Sequence, residues 1–466
     1  MSHKITIERD EYGLPRFTTE YKTTAQRKQE GKDRRNEFPR ESHAQFEPGS
    51  DRTDPVSVIK TSSEDRWAHL VPIRYGRMSK SPFTFFRGSA SLMALDIAMM
   101  PTADIRVQSC GDCHLLNFGL FATPERNLIF DINDFDETLP APFEWDIKRL
   151  ATSFSVAARD NKFSERECKL ITRKCIQAYR EAITKFASMK ILDVWYARFD
   201  VDKFIAASPD AETKHRRQVI AQKARSNSAE SIFPKITQVI AGRRSIMDQP
   251  PLIYHPPRET KIPERFISLF EVYRKSLSYE RRGLLDRYHI MDMAVKVVGI
   301  GSVGTRCGVL LLVAEDNDIL ILQVKQAMAS VLEPYAGKSE FKNHGERVVA
   351  GQRSMQSASD MLLGWAIGKK YHFYFRQLRD MKFSVDIEMM PPLQLSRYAE
   401  VCGWTLARAH ARAGDAAMIS GYIGKTDIFD RAIGTFARLY ADQTERDYKV
   451  FIEAIKSGEL KADTES

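Results

Sequence analysis

The sequence has few cysteines and lacks any long apolar segment. Six of the 466 residues are cysteine, too few for a disulfide framework in a chain of this length. No run of eighteen or more apolar residues occurs, so we expect no membrane span and no membrane partner. The N-terminus has no apolar stretch of the kind that a secretory signal needs. These absences favour a cytoplasmic protein with reduced thiols.

The chain also lacks a strong surplus of either charge. Lys and Arg number 70 against 61 Asp and Glu, which gives a formal net charge of +9. So mild an excess suits an anionic ligand such as a nucleotide but does not indicate nucleic acid. Hydrophobic residues make up 43% of the chain and charged residues 28%, which is typical of a globular protein with two or three packed units.

A short motif near position 110 carries the strongest chemical signal. The sequence GDCHLLN (111–117) follows a predicted strand over 105–107 and places Asn117 five positions after Asp112. Phosphoryl transfer needs a carboxylate that orients the acceptor hydroxyl, and ligands for the magnesium ion that bridges the phosphates. The spacing matches the GDxHxxN catalytic loop of aminoglycoside and choline kinases. We therefore predict Asp112 as the general base, Asn117 as a metal ligand and His114 as a contact for the acceptor.

A second carboxylate for the metal is expected on the hairpin that follows this motif. The strand-like run NLIFDI (127–132) is followed by Asn133 and then by Asp134. We predict Asp134 as the metal ligand, with Asp136 and Asp131 as alternatives. Arg87, in the sequence FFRGS, is a candidate for contact with the transferred phosphate, because arginine suits bidentate phosphate binding.

Three other interpretations of the first motif are open. The sequence CGDCH (110–114) fits the CxxCH pattern of haem attachment, but that reaction takes place outside the cytoplasm and no export signal is present. A zinc site would need a second Cys or His pair, whereas Cys168 and Cys175 are seven positions apart. The last alternative is a plain turn in which Asp112 and Asn117 cap backbone amides.

A glycine-rich loop lies much later in the chain. The sequence GIGSVG (299–304) has the GxGxxG pattern, which in a Rossmann site would open directly into a helix. Here a strand-like run (308–314), an acidic turn (315–318) and a second strand (319–324) follow, and the second strand delivers Lys325. This is the protein-kinase arrangement, in which the lysine pairs with the phosphates. The residues predicted to cover the phosphates are Gly299, Gly301, Ser302 and Gly304.

In a kinase, Lys325 would need a glutamate partner on the next helix. Glu346, in the sequence GERVVAGQRSMQ (345–356), is the best placed, and Glu333 and Glu340 are alternatives. The plainer interpretation is a glycine-rich edge hairpin with a solvated lysine.

The order of these parts differs from that of ordinary kinases. Lys325 lies 213 positions after Asp112, whereas kinases place the lysine first. We infer an α+β, protein-kinase-like two-lobe fold that is circularly permuted, which is tolerable because domain termini often lie close together. The predicted units are a polar, partly disordered arm (1–55), a C-lobe portion with the catalytic loop and metal hairpin (56–285), an N-lobe-like sheet (286–385) and helices that return to the C-lobe (386–466).

Several segments resemble a bacterial family that is known as a domain of unknown function and regarded as kinase-like. The segments are RYGRMSKSPFTFFRGSA, GDCHLLNFG, FDINDFDETLPAPFEWDIKRLATS, ERVVAGQRSMQ and LARAHARAGD. The resemblance covers most of the chain and implies kinase roles for Asp112, Asn117, Asp134 and Lys325, and less directly for Glu346. The sequence departs from many kinases in having Cys110 in place of the catalytic-loop histidine, and DFD (134–136) in place of Asp-Phe-Gly.

The sequence therefore predicts an ATP- and Mg2+-dependent phosphotransferase. Its partners would be a nucleotide and a phosphoryl acceptor, either a small molecule or a protein. Nucleotidyl transfer in the same pocket and a non-catalytic nucleotide-binding scaffold remain open. So does a nucleic-acid-associated protein that would use the basic region 208–263.

Overall fold

The computed structural model of the chain describes residues 6–9, 15–18, 22–240, 243–255, 264–315, 318–378 and 381–464. The α-helices are α1 (Thr24–Glu37), α2 (Pro55–Thr61), α3 (Val71–Met78), α4 (Pro82–Gly88), α5 (Ala90–Ala98), α6 (Phe143–Asp160), α7 (Glu165–Phe186), α8 (Ile191–Tyr196), α9 (Val201–Ala206), α10 (Ala211–Arg225), α11 (Ala229–Ile236), α12 (Glu264–Ser276), α13 (Tyr279–Leu285), α14 (Glu333–Ala336), α15 (His344–Met355), α16 (Pro392–Ala413), α17 (Ala416–Ile423) and α18 (Ile428–Lys456). Short 3-10 helices are Arg40–Ala44, Ala68–Leu70 and Leu115–Asn117. The β-strands are β1 (Thr6–Arg9), β2 (Pro15–Thr18), β3 (Arg106–Ser109), β4 (Phe118–Ala122), β5 (Leu128–Ile132), β6 (Leu139–Pro142), β7 (Phe199–Asp200), β8 (Thr237–Ile240), β9 (Arg243–Ile246), β10 (Ile253–Tyr254), β11 (His289–Lys296), β12 (Cys307–Val313), β13 (Ile319–Ala327), β14 (Gly364–Ile367) and β15 (His372–Gln377).

A six-stranded antiparallel sheet forms one part of the molecule, in the order β10-β11-β12-β13-β15-β14. Its central strand β12 is apolar at nearly every position because both of its faces are covered. On one face Leu310 and Leu312 join a core with Tyr273 of α12. On the other face Val309 and Leu311 join a core with α11 and β9. Successive side chains of a strand point to opposite faces, so a strand covered on both sides needs an unbroken apolar run.

The other part of the molecule is mainly helical. Helices α6, α7, α16 and α18 pack around the largest apolar core. The close approach of α7 and α16 depends on Gly403, where a Cβ atom would lie 2.1 Å from the carbonyl oxygen of Cys175. None of the described helices is both long and apolar enough to cross a bilayer.

Small strand pairs bring two loops of the helical part side by side. Strand β3 pairs with β6, so Ser109 lies opposite Leu139. Strand β4 pairs with β5, so Phe118 lies opposite Ile132. The loop after β3 and the loop after β5 are therefore fixed at both ends by the same pairings, and they must run next to each other.

Much of the predicted secondary structure is confirmed, and the fold is of the mixed α+β class. Predicted strands over 105–107, 127–132, 308–314, 319–324 and 372–378 correspond to β3, β5, β12, β13 and β15. The sequence pattern did not predict several shorter strands, among them β4, β6, β8, β9, β10 and β14. Of the predicted acidic turn, positions 316 and 317 lie outside the described residues, as do positions 256–263 of the basic region.

Part of the predicted N-terminal arm is helical. Residues 24–37 form α1, which begins with a capping box between Thr23 and Gln26. The helix packs on α17, and Gly31 allows the contact because a Cβ there would lie 2.0 Å from the carbonyl oxygen of Met418. The segment has little apolar content of its own, so its order depends on a distant partner. Positions 1–5, 10–14 and 19–21 lie outside the described residues.

A buried ion-pair network ties the segment after α1 to the helical part. Arg52 donates from Nε to Asp96 at 2.7 Å and from Nη2 to Asp447 at 2.7 Å, and the side chains of the three residues are 3–10% exposed. Tyr440 donates its hydroxyl to the same Asp96 carboxylate at 2.7 Å. Loss of the guanidinium would leave two carboxylates buried without their cation.

We expect Arg52→Ala to lower the free energy of unfolding by about 3–5 kcal/mol, because removal of one member of a buried ion pair leaves uncompensated charge. Urea denaturation of the purified variant measures the change. The control is Lys60→Ala, which removes an exposed pair with Glu459 and should change stability by about 0–1 kcal/mol. Equal losses in the two variants would contradict the proposed importance of the Arg52 network.

Candidate functional site

Helix α6 supports the loop that carries Asp112. Asp146, in the first turn of α6, accepts hydrogen bonds from the backbone amides of Cys110 at 2.8 Å and Gly111 at 3.0 Å. Gly111 has a φ of +82°, and a Cβ there would lie 2.2 Å from the carbonyl oxygen of Glu137. Only glycine meets both requirements without strain. The loop is therefore rigid at the residue before Asp112.

A second residue of α6 holds the Asp112 side chain itself. Arg149 lies one helical turn after Asp146 and contacts Oδ1 of Asp112 from Nε at 2.8 Å and from Nη2 at 2.7 Å. The same guanidinium lies over the ring of Phe86, 3.9 Å from its centre. Asn117 donates from Nδ2 to the backbone oxygen of Asp112 at 2.5 Å. Asp112 is thus oriented by a buried arginine that the sequence motif did not include.

His114 lies close to Asp112 in its neutral form. Its Nε2 atom is 3.9 Å from Oδ2 of Asp112, and its Nδ1 atom is buried without a hydrogen-bond partner among the described residues. Burial lowers the pKa of His114 to about 3, although the charge of Asp112 opposes the shift. A neutral imidazole has one donor and one acceptor nitrogen, so the Nε2 atom beside Asp112 could contact a ligand hydroxyl, as the predicted role of His114 requires.

The segment after β5 brings two carboxylates to Lys325 of β13. The Nζ atom of Lys325 lies 2.6 Å from Oδ2 of Asp136 and 3.6 Å from Oδ2 of Asp134. Tyr374 donates its hydroxyl to the other oxygen of Asp136 at 2.6 Å. Burial would lower the pKa of Lys325, but the charges of Asp134 and Asp136 outweigh it and raise that pKa well above its usual value. The lysine is a buried ammonium with two carboxylate partners.

The glycine-rich loop connects β11 to β12 and faces these carboxylates. Gly299 has a φ of +62°, and no atom would lie within 4 Å of a Cβ at Gly299 or Gly301. The hydroxyl of Ser302 donates to Asp136 at 3.3 Å. Arg77 donates to the carbonyl oxygen of Gly299, and Arg66 donates to that of Gly301, both at 2.6 Å. Both carbonyls are thus engaged by arginines, and the two glycines leave open space beside the backbone of the loop.

These elements enclose one cavity of about 180 Å³. Most of the predicted site residues line it, although they come from three distant stretches of sequence. They are Arg87, Asp112, His114, Asn117, Asp134, Asp136, Gly299, Gly301 and Ser302. Lys325 lies behind this lining, against Asp136 and Asp134. Gly304 lies at the edge of the loop, where its Cβ position is 3.0 Å from Cβ of Arg66.

Glu346 does not join this group. It lies in the first turn of α15, and it forms no ion pair among the described residues. The next residue, Arg347, reaches the site instead and donates to the backbone oxygens of Asp136 at 2.9 Å and Thr138 at 2.6 Å. A step of one residue rotates a side chain by about 100° around a helix, so the direction of α15 decides which residue points inward. The lysine's partners are the aspartates.

The alternative residues have structural roles. Asp131 forms a buried ion pair with Arg408 and accepts from the amide and hydroxyl of Ser357. Glu333 lies 3.6 Å from Nδ1 of His344, and Glu340 is exposed.

The cysteines of the first motif are buried thiols. Cys110, Cys113 and Asp146 bring their donor atoms within 4.8 Å of one another, which is a possible metal-binding group. However, the Asp146 oxygens already accept from two backbone amides, and His410 lies 3.2 Å from Oδ2. Burial raises the pKa of both thiols, which disfavours the thiolate form that binds metals. We assign this group to the support of the Asp112 loop.

Sequence reasoning missed several residues of the cavity. Glu137 lines the cavity next to Asp136, and its Oε2 atom accepts from the backbone amide of Val331 at 2.7 Å. Arg66 and Arg74 also line it. The sequence offered two usable signals. Glu137 directly follows the DFD motif, and Arg74 opens the segment RYGRMSKSPFTFFRGSA, whereas Arg66 belongs to no local pattern.

Comparison with protein-family models matches residues 66–454 to the family described as "Uncharacterized protein conserved in bacteria (DUF2252)". The chain belongs to this family. The predicted resemblance to a bacterial family of unknown function is thereby confirmed. No curated protein and no solved structure matches the chain. The family match includes the whole lining of the cavity except Ser62, whereas α1 lies outside it.

The buried carboxyl of Glu137 should make the stability of this protein depend on pH. Burial raises the pKa of Glu137 to about 7, against a usual value of 4.5. A raised pKa means that folding favours the protonated form, so stability falls as the pH rises from about 4.5 through 7. We expect Glu137→Gln to remove this fall and to be more stable than wild type at pH 8, by up to about 3 kcal/mol.

Denaturant unfolding at pH 5, 6, 7 and 8 measures this difference. The matched control is Glu340→Gln on the exposed surface, which should keep the wild-type dependence on pH. Parallel profiles for wild type and Glu137→Gln would contradict the assignment.

Proposed function

We propose that this protein is an ATP- and Mg2+-dependent phosphotransferase with a circularly permuted, kinase-like fold. The observation that carries the proposal is the convergence of two sequence motifs that lie far apart in the chain. The Asp112 loop and the Asp134–Asp136 segment line the same cavity as the glycine-rich loop, and Lys325 contacts both aspartates. Four chemically matched parts at one cavity are difficult to explain as helix caps or as a solvated edge hairpin.

The donor atoms fit magnesium. Asp134 and Asp136 offer carboxylate oxygens, and Asn117 uses its Nδ2 atom for Asp112 and so leaves its Oδ1 atom as a further ligand. Magnesium prefers such oxygen ligands, and when bound it would neutralise charge on the phosphates. This contact explains the five-residue spacing of Asp112 and Asn117, because the hydrogen bond to the Asp112 backbone orients the Asn117 amide and both residues line the same cavity.

The opposite side of the cavity fits a polyphosphate. Gly299 and Gly301 leave room for phosphates to approach the backbone of the loop. Lys325 supplies a buried ammonium that can exchange the Asp136 carboxylate for a phosphate oxygen.

Asp112 is suited to the role of general base. Its Oδ1 atom is held by Arg149, which fixes the carboxylate in one orientation. Its Oδ2 atom lies towards His114, so an acceptor hydroxyl could bind between the two and pass its proton to Asp112. Such positioning supplies much of the rate in phosphoryl transfer, which needs little covalent help from the protein.

One departure from ordinary kinases leaves a second candidate function open. Lys325 contacts aspartates rather than a glutamate of α15, whereas protein kinases need the lysine–glutamate pair in place. Nucleotidyl transfer from the same pocket would use the same metal and phosphate contacts. A third possibility is nucleotide binding without turnover.

Nucleotide binding should depend on both Mg2+ and Asp134. We expect ATP with Mg2+ to raise the melting temperature of wild type by several degrees, and Asp134→Asn to abolish most of that rise, because the variant loses a charged metal ligand. Differential scanning fluorimetry with and without EDTA measures this. Asp33→Asn, on the exposed face of α1, is the control and should respond as wild type does. The absence of any ATP response in wild type would refute the proposed function.

The fate of the label from ATP should separate the candidate reactions. We expect a bacterial metabolite extract incubated with the enzyme and γ-labelled ATP to acquire label, and the same extract with α-labelled ATP to acquire none. Asp112→Asn serves as the inactive control, since it keeps the shape of the side chain and loses the base. Product carrying the α-label instead would establish nucleotidyl transfer.

A further inference from the structure

One wall of the cavity carries three arginines that have no acidic partner. Arg66, Arg74 and Arg87 all line the cavity, and all come from the segment between α2 and α5. No carboxylate oxygen of the described residues lies within 4.0 Å of any of the three guanidinium groups. By contrast, Arg52, Arg149, Arg180 and Arg408 each have a carboxylate oxygen at 2.5–2.9 Å. Arginines that are buried without a counter-ion are unusual in a folded protein.

The hydrogen bonds of these arginines leave some of their donor atoms without a partner among the described residues. Arg74 is 2% exposed and donates to Ser63 and to the backbone oxygen of Gly88, yet its Nε atom is buried without a partner. Arg66 donates to backbone oxygens, including those of Gly301 and Val303. The wall therefore holds donors and positive charge that the protein does not itself satisfy.

Arg87 is the least engaged of the three. Its Nε atom is buried without a partner, and its side chain makes no hydrogen bond among the described residues. Burial lowers its pKa, while the charges of Asp112 and Asp134 act in the opposite direction. Arg87 thus lies close enough to the proposed base and to the proposed metal ligand to interact electrostatically with both, and it lines the same cavity.

The other cations of the site already have partners. Arg149 is paired with Asp112, and Lys325 is paired with Asp136 and Asp134. Bound Mg2+ together with the Lys325 ammonium would offset most of the charge of the nucleotide phosphates, so those phosphates do not need three additional arginines. The excess positive charge therefore points to a second anion.

We propose that Arg66, Arg74 and Arg87 form a subsite for a phosphate or carboxylate group of the phosphoryl acceptor. The acceptor is then a small anionic molecule rather than a protein side chain, because the nearly inaccessible Arg74 can be reached only by a group that enters the cavity. This assignment rests on the proposed phosphotransferase function. Guanidinium groups bind phosphates and carboxylates through paired, directional hydrogen bonds, which suits them to this role.

The test uses inorganic phosphate as the probe, with the full-length protein saturated by Mg2+ and the non-hydrolysable nucleotide AMP-PNP. We expect phosphate to bind the wild-type complex, and Arg87→Met to weaken that binding about tenfold or more while nucleotide affinity changes less than about twofold. Isothermal titration calorimetry measures both affinities. Arg87→Lys keeps the charge and should recover part of the phosphate binding, which separates loss of the charge from loss of folding.

The matched control is Arg282→Met in α13. Arg282 also has a buried Nε atom without a partner, but it lies outside the cavity lining and over the ring of Tyr279. It should bind phosphate as wild type does. Undiminished phosphate binding in Arg87→Met, or no phosphate binding in wild type, would overturn the subsite.

Two further outcomes distinguish the subsite from the proposed function. If phosphate competes with AMP-PNP and Arg87→Met weakens the nucleotide instead, the arginines bind the nucleotide's own phosphates and the acceptor assignment is wrong. If AMP-PNP never binds but phosphate binding still requires Arg87, the proposed function fails while the anion site is supported.

Discussion

The buried contact between Lys325 and Asp136 joins the six-stranded sheet to the helical part of the molecule. Lys325 is 2% exposed, and its ammonium lies 2.6 Å from the carboxylate. Loss of either partner would leave the other charge buried and uncompensated, at a cost of about 3–5 kcal/mol. Tyr374, from the neighbouring strand β15, binds the same carboxylate and strengthens the constraint. The position of β13 against the β5–β6 segment therefore fixes the two sides of the cavity.

Other buried groups cross the same junction. Arg347 of α15 donates to backbone oxygens of the β5–β6 segment, including that of Asp136 at 2.9 Å. Arg408 of α16 pairs with Asp131 of β5 and donates to the backbone oxygen of Met355 at the end of α15. These contacts are directional and buried, so they allow little sliding of one part over the other. The cavity is shaped by a rigid junction rather than by a flexible cleft.

The sequence predicted the parts of the site better than their pairing. Unbroken apolar runs identified β12 and β13, and the spacing from Asp112 to Asn117 identified the first loop, because both signals are local. The partner of Lys325 was predicted wrongly as Glu346, since the choice depends on the direction of α15 and on Asp136, which lies 189 positions earlier in the chain. Long-range contacts of this kind leave no periodic pattern.

The same reason explains why the arginine wall was found only in the structure. Arg74 and Arg87 both stand in the segment RYGRMSKSPFTFFRGSA, and Arg66 follows no motif. The significance of the three lies in having no carboxylate of the described residues within 4.0 Å, which no sequence pattern records. A single sequence shows which residues can be charged, but it cannot show which charges are left unpaired.

The charge distribution has a consequence for ligand binding if the proposed function holds. A metal ion alone would have to displace the ammonium of Lys325 from Asp136 and Asp134, and a polyphosphate alone would meet the negative charge of the same carboxylates. When both bind, the phosphates take the lysine and the metal takes the carboxylates, so each ligand removes the penalty that the other faces. Such mutual relief is positive coupling between two ligands. The contacts of Lys325 with Asp136 and Asp134 would therefore make the binding of metal and nucleotide cooperative.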